Sequence, residues 1–443
     1  MKISHWLYVA ALIVTAGCDG NGAVRLPPTE VRIFHAASNV ETVSFNRERE
    51  QIGVLDYGEG LATSFDSGQY DFHVQVQPVG VNALVDLVSI NETLSASLDY
   101  TFIFIMENGQ PGVFIVSKDD VLPSGTASRI TIAHAFEGRG DLDVYFEPPG
   151  TVLTTVIPLT TISFATNPSG FEVAPANNHI FLTTAGDPSD VVFESEPQAV
   201  AAGADRVYVV SDPGALGTDD ILVSRIGTVG TGRIGQIGQE SRLRVIQGID
   251  DRLARDIYLD DTLTPPLFPA QPFGVFSAYE NTEVSSHAVI TTPVITPGTE
   301  ESALNYFARP GLLFTALIVG DTVDGVVTRI VEEDKRSIDG EAALRFANGA
   351  SMFDIIDIYF EIPGTDITTV NPLLFLGVTD VTDRIRLAPN DYEITVVDAI
   401  TQAVLAGPQI LTVDDGGVYG VLLLNAVGGS TVDIQLFDDF VVP

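Results

Sequence analysis

Short runs in which apolar and polar residues alternate recur along the whole chain. Residues 71–77 read DFHVQVQ, and a period of two is typical of a strand with one buried face. The runs at 100–105 (YTFIFI) and 418–424 (VYGVLLL) are rich in β-branched and aromatic residues and are bounded by turn-forming residues. No long segment has apolar residues at helical spacing. The pattern therefore predicts an all-β chain of many short strands.

The chain also contains an internal repeat. Residues 145–159 read YFEPPGTVLTTVIPL and residues 359–373 read YFEIPGTDITTVNPL, and we call this stretch the repeated phrase. A second pattern occurs four times: a strand-like segment ends at a polar residue, and aligned residues follow nine and eleven positions later. The four sets are His35, Ser44 and Asn46; His134, Asp143 and Tyr145; Gln247, Asp256 and Tyr258; and Asn348, Asp357 and Tyr359. The repeat unit is roughly one hundred residues, an ordinary domain size.

Units of this size with many short strands fit a sandwich fold. We therefore expect the fold class to be all-β, with four tandem immunoglobulin-like β-sandwich domains. The expected segments are a signal peptide at 1–17, an anchor linker at 18–28, sandwiches at 29–122, 126–226, 241–335 and 341–443, and a Gly-rich linker at 227–240. Because this linker reads GTVGTGRIGQIGQ over 227–239, we expect it to be the most flexible joint.

The N-terminus carries an export signal. Met1 and Lys2 precede an apolar run over 6–15, and small residues lead to Cys18, the single cysteine of the chain. This arrangement resembles the bacterial lipobox, although Thr15 stands where Leu is usual. The resemblance implies cleavage before Cys18, lipid attachment to it, and a lipid-anchored position in the bacterial cell envelope, on the periplasmic face or the cell surface. The alternatives are an ordinary cleaved signal and a buried strand with a structural cysteine.

The charge of the chain restricts its partners. There are 22 basic and 59 acidic residues, which gives a formal net charge of −37. Such a polyanion is not expected to bind nucleic acid through its phosphates. The simpler interpretation of the acidity is solubility and protection of exposed strand edges. The alternative is binding of divalent cations such as calcium, although no segment matches an EF-hand loop.

The aligned phrase resembles the domain-of-unknown-function family 4397. The residues that carry the resemblance are His134-Ala135, a short acidic turn, and Asp143-Val144-Tyr145. The resemblance covers almost the whole mature chain as four modules. It implies exported or surface β-sandwich domains, often in tandem, and brings no established activity.

The copies differ at the aligned histidine. Gln247 and Asn348 replace the His35 and His134 of the first two copies, and all three residue types can hydrogen-bond to a backbone group or to an Asp side chain. We therefore interpret this position as a polar clasp that holds the first loop against the strand of the aligned acid, and the alternative is a functional histidine at position 35 or 134. The aligned tyrosines are interpreted as packing residues.

Signatures of enzymes are scarce in the sequence. No His-Glu-x-x-His motif and no Gly-x-Ser-x-Gly elbow is present. Residues 230–235 fit Gly-x-Gly-x-x-Gly, but no helical pattern follows to hold a pyrophosphate, so no nucleotide is expected. We expect a non-enzymatic protein without a cofactor that presents its modules to a protein or glycan partner or serves as a spacer. The alternatives are a calcium-stiffened spacer and an enzyme acting on envelope polymers.

Overall fold

The computed structural model describes residues 28–438 except 122, 215–216, 218–219, 228–229, 297 and 324. The signal peptide and Cys18 lie outside the described residues. In the described part every regular element is a strand, apart from two one-turn 3₁₀ helices at Leu153–Thr155 and Ile367–Thr369. The predicted all-β class is confirmed, and the strands form four successive β-sandwiches.

The first sandwich contains β1 (Pro28–His35), β2 (Val43–Arg47), β3 (Glu50–Leu55), β4 (Gly60–Asp66), β5 (Gly68–Val76), β6 (Val85–Leu94), β7 (Leu98–Glu107) and β8 (Gln110–Asp119). The second contains β9 (Ser128–His134), β10 (Leu142–Glu147), β11 (Thr160–Ile162), β12 (Phe171–Val173), β13 (Ala176–Thr184), β14 (Val191–Glu194), β15 (Gln198–Val200), β16 (Asp205–Ser211), β17 (Leu222–Gly227) and β18 (Gly230–Ile234).

The third sandwich contains β19 (Ser241–Ile249), β20 (Arg255–Leu259), β21 (Phe268–Gln271), β22 (Glu280–Thr282), β23 (Ser286–Pro293), β24 (Ser302–Phe307), β25 (Leu313–Asp321) and β26 (Gly325–Glu332). The fourth contains β27 (Ala342–Gly349), β28 (Ile355–Glu361), β29 (Leu374–Gly377), β30 (Ile385–Leu387), β31 (Asn390–Asp398), β32 (Val404–Val413), β33 (Val418–Asn425) and β34 (Val432–Asp438).

All four sandwiches share one strand order. In the first, one sheet has the order β4-β1-β7-β8 and the other β3-β2-β5-β6, and the third and fourth repeat this order. The second adds β18 to the edge of one sheet and β15 to the other. The first strand pairs in parallel with the seventh, for example Ile33 with Phe102. This order differs from that of constant-type immunoglobulin domains, in which seven strands form the sheets ABED and CFG.

Each sandwich encloses its own apolar core. In the first, Phe72 and Phe102 project from opposite sheets and their ring centroids lie 4.9 Å apart. Corresponding cores fill the second, third and fourth sandwiches. Alternation along the strands supplies these side chains, since every second residue points inward.

The sheet that contains the first and seventh strands is also buried on its other face. In the first sandwich Phe34, Ile103 and Ile105 form one cluster with Val207 and Val209 of the second. We call this sheet of each sandwich the joining sheet and its partner the outer sheet. Burial on both faces explains why residues 102–105 (FIFI) are apolar without interruption.

The third and fourth sandwiches are joined in the same way. Ile246, Leu317 and Val319 of the third contact Leu422 and Leu424 of the fourth. The chain is therefore two pairs of sandwiches, each pair packed joining sheet against joining sheet, and the units are more than independent domains on a string.

The segment expected to be a Gly-rich linker is partly a strand. Its residues Gly230–Ile234 form β18, which pairs with β17 at the edge of the second joining sheet. The amide of Gly60 on β4 donates to Thr231 Oγ1 at 3.0 Å, so this strand also contacts the first sandwich. Glycine content indicated flexibility, but backbone pairing holds this segment as an edge strand, and the glycine at the close approach is Gly60, where a side chain would meet Thr231.

We predict that Ile103→Ala lowers the free energy of unfolding by about 2–4 kcal/mol, as expected for a cavity at a fully buried site. Ile103 points away from its own core, so this cost would come from the packing between sandwiches. Urea denaturation of the full chain, followed by far-ultraviolet circular dichroism, measures this free energy. Val427→Ala, at an 82% exposed position, is the control and should change the value by no more than about 0.5 kcal/mol. An equally small effect of Ile103→Ala would contradict the paired arrangement.

Candidate functional site

The two aligned histidines make the same pair of backbone hydrogen bonds. His35 Nε2 lies 2.6 Å from the carbonyl oxygen of Glu41, and its Nδ1 accepts from the Ala37 amide at 3.3 Å. His134 repeats the pattern, with Nε2 at 3.1 Å from the Gly140 carbonyl oxygen and Nδ1 accepting from the amide two residues on. Because Nδ1 accepts in both rings, the hydrogen of the neutral imidazole is on Nε2.

Gln247 and Asn348 make the same two kinds of hydrogen bond. Each side-chain oxygen accepts from the amide two residues on, at 3.2 Å for Gln247 and 2.9 Å for Asn348. The Gln247 amide donates to Leu253 and Gln271 carbonyls, and the shorter Asn348 donates to Gly377 instead. All four aligned side chains are fully buried and contact backbone groups, not the aligned acid. These hydrogen bonds fix the loop after the first strand, and they occupy the polar atoms that catalysis or metal binding would need.

Burial keeps both histidines neutral. It lowers the pKa of His35 from 6.5 to about 4, against the hydrogen bond to the Glu41 carbonyl, which favours the charged ring. The nearby Arg336 guanidinium lowers this pKa further. Burial likewise lowers the pKa of His134.

The aligned acids lie on the outward face of the outer sheets. Asp143 accepts from Thr161 Oγ1 at 2.5 Å and from the Gly186 amide at 2.8 Å. Asp256 accepts from the Ala270 amide at 2.8 Å. Ser44 replaces the acid in the first copy, and its Oγ accepts hydrogen bonds from Asn46 Nδ2 at 3.1 Å and from Gln51 Nε2 at 3.2 Å. The Asp357 side chain has no hydrogen bond to any other described residue.

The aligned tyrosines also point outward and are nevertheless buried. Tyr145 packs against Leu153 and Phe181, because the repeated phrase turns back over the outer sheet as a 3₁₀ helix. Tyr258 and Tyr359 are 6% and 8% exposed. Tyr145 therefore holds the loop that contains Leu153 to the sheet.

A cluster of charged residues joins distant parts of the chain. Arg336, between the third and fourth sandwiches, contacts Asp334 at 2.8 Å and Glu41 of the first sandwich at 3.6 Å. Its guanidinium lies 4.8 Å from the centre of the Tyr57 ring. Arg384 of the fourth sandwich contacts Asp334 at 2.7 Å and Glu41 at 3.3 Å. We call these five residues the central junction.

Polar contacts extend the central junction to the second sandwich. Tyr57 donates to the carbonyl oxygen of Asp212, and Ser38 Oγ donates to the Asp212 carboxylate at 3.1 Å. Asn39 Nδ2 donates to Asp339 at 2.6 Å, and the Asp339 amide donates back to the Asn39 carbonyl at 3.1 Å. All four sandwiches or their linkers therefore meet here.

The charges within the central junction stabilise one another. Burial alone would raise the pKa of Asp334, but the hydrogen bonds and charge of Arg336, with the charge of Arg384, hold it below its ordinary value. Side chains of Arg336 and Glu41 are 5% and 14% exposed, so solvent screens their interaction only weakly.

Basic side chains also occupy the other contacts between sandwiches. Lys118 of the first bonds to Asp205 of the second, which Arg129 contacts at 2.6 Å. In the other pair, Arg252 lies 3.2 Å from Asp433. Among the described basic residues only Arg49, Arg309 and Arg329 are exposed, whereas most described carboxylates are. Several basic groups are thus used between sandwiches, and the exterior carries more acidic than basic groups.

One arrangement that the sequence pattern did not indicate resembles a catalytic triad. Asp260 Oδ2 lies 2.9 Å from His287 Nδ1, and Ser285 Oγ lies 3.0 Å from His287 Nε2. However, His287 Nε2 is closer still, at 2.7 Å, to the carbonyl oxygen of Glu283. A nitrogen that donates to this carbonyl has no lone pair with which to accept the serine proton. The three residues therefore hold the turn before β23, and they are not arranged for general-base catalysis.

The described residues give no sign of a metal centre or a membrane span. No group of three or more His, Asp or Glu side chains in this part of the chain is placed to hold a metal ion. In the same part, no helix has the length and apolarity needed to cross a membrane.

Comparison with known proteins gives weak structural similarity. No family model matches the sequence, and no curated protein matches it. The resemblance to family 4397 therefore stays a prediction. Among solved structures, the chain is similar to the Bacillus anthracis TIE protein at 8% identity, over 90% of this chain and 68% of that chain. The TM-score is 0.15, which is too low to support an argument about fold or function.

We predict that His35 makes the protein less stable in mild acid. The unfolded chain protonates this residue near pH 6.5, whereas the folded protein does so only near pH 4. The contribution of His35 to the free energy of unfolding is therefore fully present above pH 6.5 and is lost as the pH drops toward 4. The loss is about 1.4 kcal/mol per pH unit, or about 3 kcal/mol in all. His35→Gln, the residue type of the third copy, should preserve the clasp and remove this loss. Urea titrations from pH 7 to 4 measure it, and identical pH slopes in both proteins would contradict the assignment.

We predict that Glu41→Gln weakens the central junction by about 1–3 kcal/mol. Removing one partner of a buried ion pair usually costs about 3–5 kcal/mol. We expect a smaller loss here because Asp334 still pairs with both arginines. Small-angle X-ray scattering should show a larger radius of gyration in the variant than in the wild type as salt is raised. Glu332→Gln, which alters an exposed pair with Arg309, is the matched control and should leave the dimensions unchanged. Equal behaviour of the two variants would show that the junction does not hold the sandwiches together.

Proposed function

We propose that the protein is a non-enzymatic, lipid-anchored protein of the bacterial cell envelope whose four sandwiches present their outer sheets to a protein or glycan partner. The observation that carries the proposal is the separation of roles between the two sheets of each sandwich. The joining sheets and the basic residues are used to hold the sandwiches together. The outer sheets remain available on the outside.

The positions of the aligned residues support binding over catalysis. The side chains of His35, His134, Gln247 and Asn348 are buried and engaged by the backbone. In the second sandwich the exposed side chains of the repeated phrase are instead apolar or carry a hydroxyl, and Ile157 is 87% exposed. Exposed apolar groups on a rigid scaffold are typical of interaction surfaces.

Anchoring through Cys18 places the body near a membrane. The first strand begins at Pro28, so residues 19–27 would span at most about 30 Å if fully extended. An acidic body is repelled by anionic headgroups, and a covalent lipid would supply the attachment that the protein surface does not. In this position the four sandwiches are presented at the membrane surface.

We predict that Cys18→Ala abolishes lipid attachment and moves the protein to the soluble fraction. Cells fed an alkyne-bearing fatty acid should yield a labelled wild-type protein, detected by click chemistry, and an unlabelled variant. Leu263→Ser, at a 94% exposed position far from the signal, is the control and should keep both the label and the membrane association. Label in the Cys18→Ala variant, or the same membrane fraction for all three proteins, would overturn the lipid-anchor proposal.

A further inference from the structure

The outer sheet of the fourth sandwich has an exposed apolar face. Phe375 is 73% exposed and Val404 is 54% exposed, although both lie in regular strands. Further apolar side chains on this sheet or at its ends are exposed as well, namely Ile355, Leu373 and Ile410. Since the core does not need these groups, they form a candidate interaction surface.

One row of side chains crosses this face. Asp357 pairs with Phe375 on one neighbouring strand and with Val397 on the other, and Val397 pairs with Val404. Paired residues point to the same face of a sheet, and strands lie about 4.8 Å apart, so the row is about 14 Å long. We call these four residues the apolar row. It contains a single charged group.

Asp357 is unusual in its surroundings. It is half-buried and has no hydrogen-bond partner among the described residues, although most half-buried carboxylates find one. Phe375 and Val397 flank it with hydrocarbon. A carboxylate next to apolar groups loses hydration without compensation, and a positive charge from outside would supply that compensation.

The corresponding acid has an internal hydrogen-bond partner in the second and third sandwiches. In the second, Asp143 is held by Thr161 Oγ1 and by the Gly186 amide. In the third, Asp256 is held by the Ala270 amide. The fourth sandwich alone replaces the hydroxyl partner by an exposed aromatic ring, since Phe375 stands where Thr161 stands in the second. The acid is retained while its internal partner is lost.

We propose that the apolar row is the docking site for a basic segment of a partner protein, in which a Lys or Arg is flanked by apolar side chains. The cation would pair with Asp357 and contact the Phe375 ring, since cations bind over aromatic faces within about 6 Å of the centroid. The flanking apolar groups would cover Val404 and Phe375. This inference rests on the proposed function and names the partner chemistry for one of its surfaces.

Charge complementarity selects this partner over the alternatives. The chain carries a net charge of −37, and the described basic residues of the fourth sandwich, Arg345, Arg384 and Arg386, point into the joints. A second copy of the chain would be repelled by this surface. A neutral glycan would stack on Phe375 but would not neutralise Asp357.

Fluorescence anisotropy with the full-length protein tests the inference. The probe is a short labelled peptide in which Ile and Lys alternate, at about 0.15 M salt. We expect Phe375→Ser and Asp357→Asn each to weaken binding by about tenfold or more, as removal of a central contact does. The matched controls are Leu263→Ser and Glu107→Gln, at exposed positions in other sandwiches, and they should bind as the wild type does. Thermal melts check that all variants fold, since exposed substitutions cost no more than about 0.5 kcal/mol.

The possible results separate this inference from the proposed function. Equal weakening by the test and control variants would show a general attraction between polyanion and polycation, and would overturn the docking site. Binding of a neutral oligosaccharide that depends on Phe375, with no such dependence for the peptide, would also overturn it while leaving surface presentation intact. A peptide with Glu in place of Lys should not bind, and binding by it would contradict the role of Asp357.

Discussion

The buried ion pairs of the central junction are the interaction on which the arrangement of the four sandwiches depends. A chain with a net charge of −37 repels itself, and compact packing must overcome this repulsion. Unit charges about 4 Å apart at an effective dielectric constant near 20 attract by about 4 kcal/mol, whereas exposed charges more than about 8 Å apart are largely screened by salt. Short contacts from Arg336 and Arg384 to Glu41 and Asp334 therefore outweigh the diffuse repulsion of the surface.

This use of positive charge determines what remains on the surface. Because Lys118, Arg129, Arg336 and Arg384 lie in joints, the exterior has few basic groups with which to neutralise its carboxylates. The joining sheets are removed from solvent at the same time, since clusters around Ile103 and Leu422 bury their second faces. The acidic composition therefore acts on the arrangement of the sandwiches as well as on solubility, since it leaves the carboxylates on the exterior while basic groups are used between sandwiches.

The sequence predicted the parts of this structure that depend on local pattern. Period-two alternation and turn residues indicated strands, and the fourfold repeat indicated sandwiches of one kind. The pairing of joining sheets was not predicted, because a short apolar run such as 102–105 indicates burial of both faces but does not say which part of the chain covers the second face. The central junction was missed because its contacts join residues separated by almost 300 positions, as Ser38 and Arg336 are. Gly content at 227–240 indicated a linker, whereas residues Gly230–Ile234 pair with β17 as strand β18 and contact the first sandwich through Thr231.

The repeated phrase shows how two copies can share a shape and differ in chemistry. In the second sandwich its 3₁₀ helix packs through Leu153 on Tyr145, and in the fourth the corresponding helix begins with Asp366 accepting from the Thr368 amide. Both versions fix the loop between the second and third strands over one end of the outer sheet. The row next to this loop is free to change, because its side chains point away from the core. The phrase is therefore kept as a shape that holds this loop, while the residue paired with the aligned acid changes from Thr161 in the second sandwich to Phe375 in the fourth.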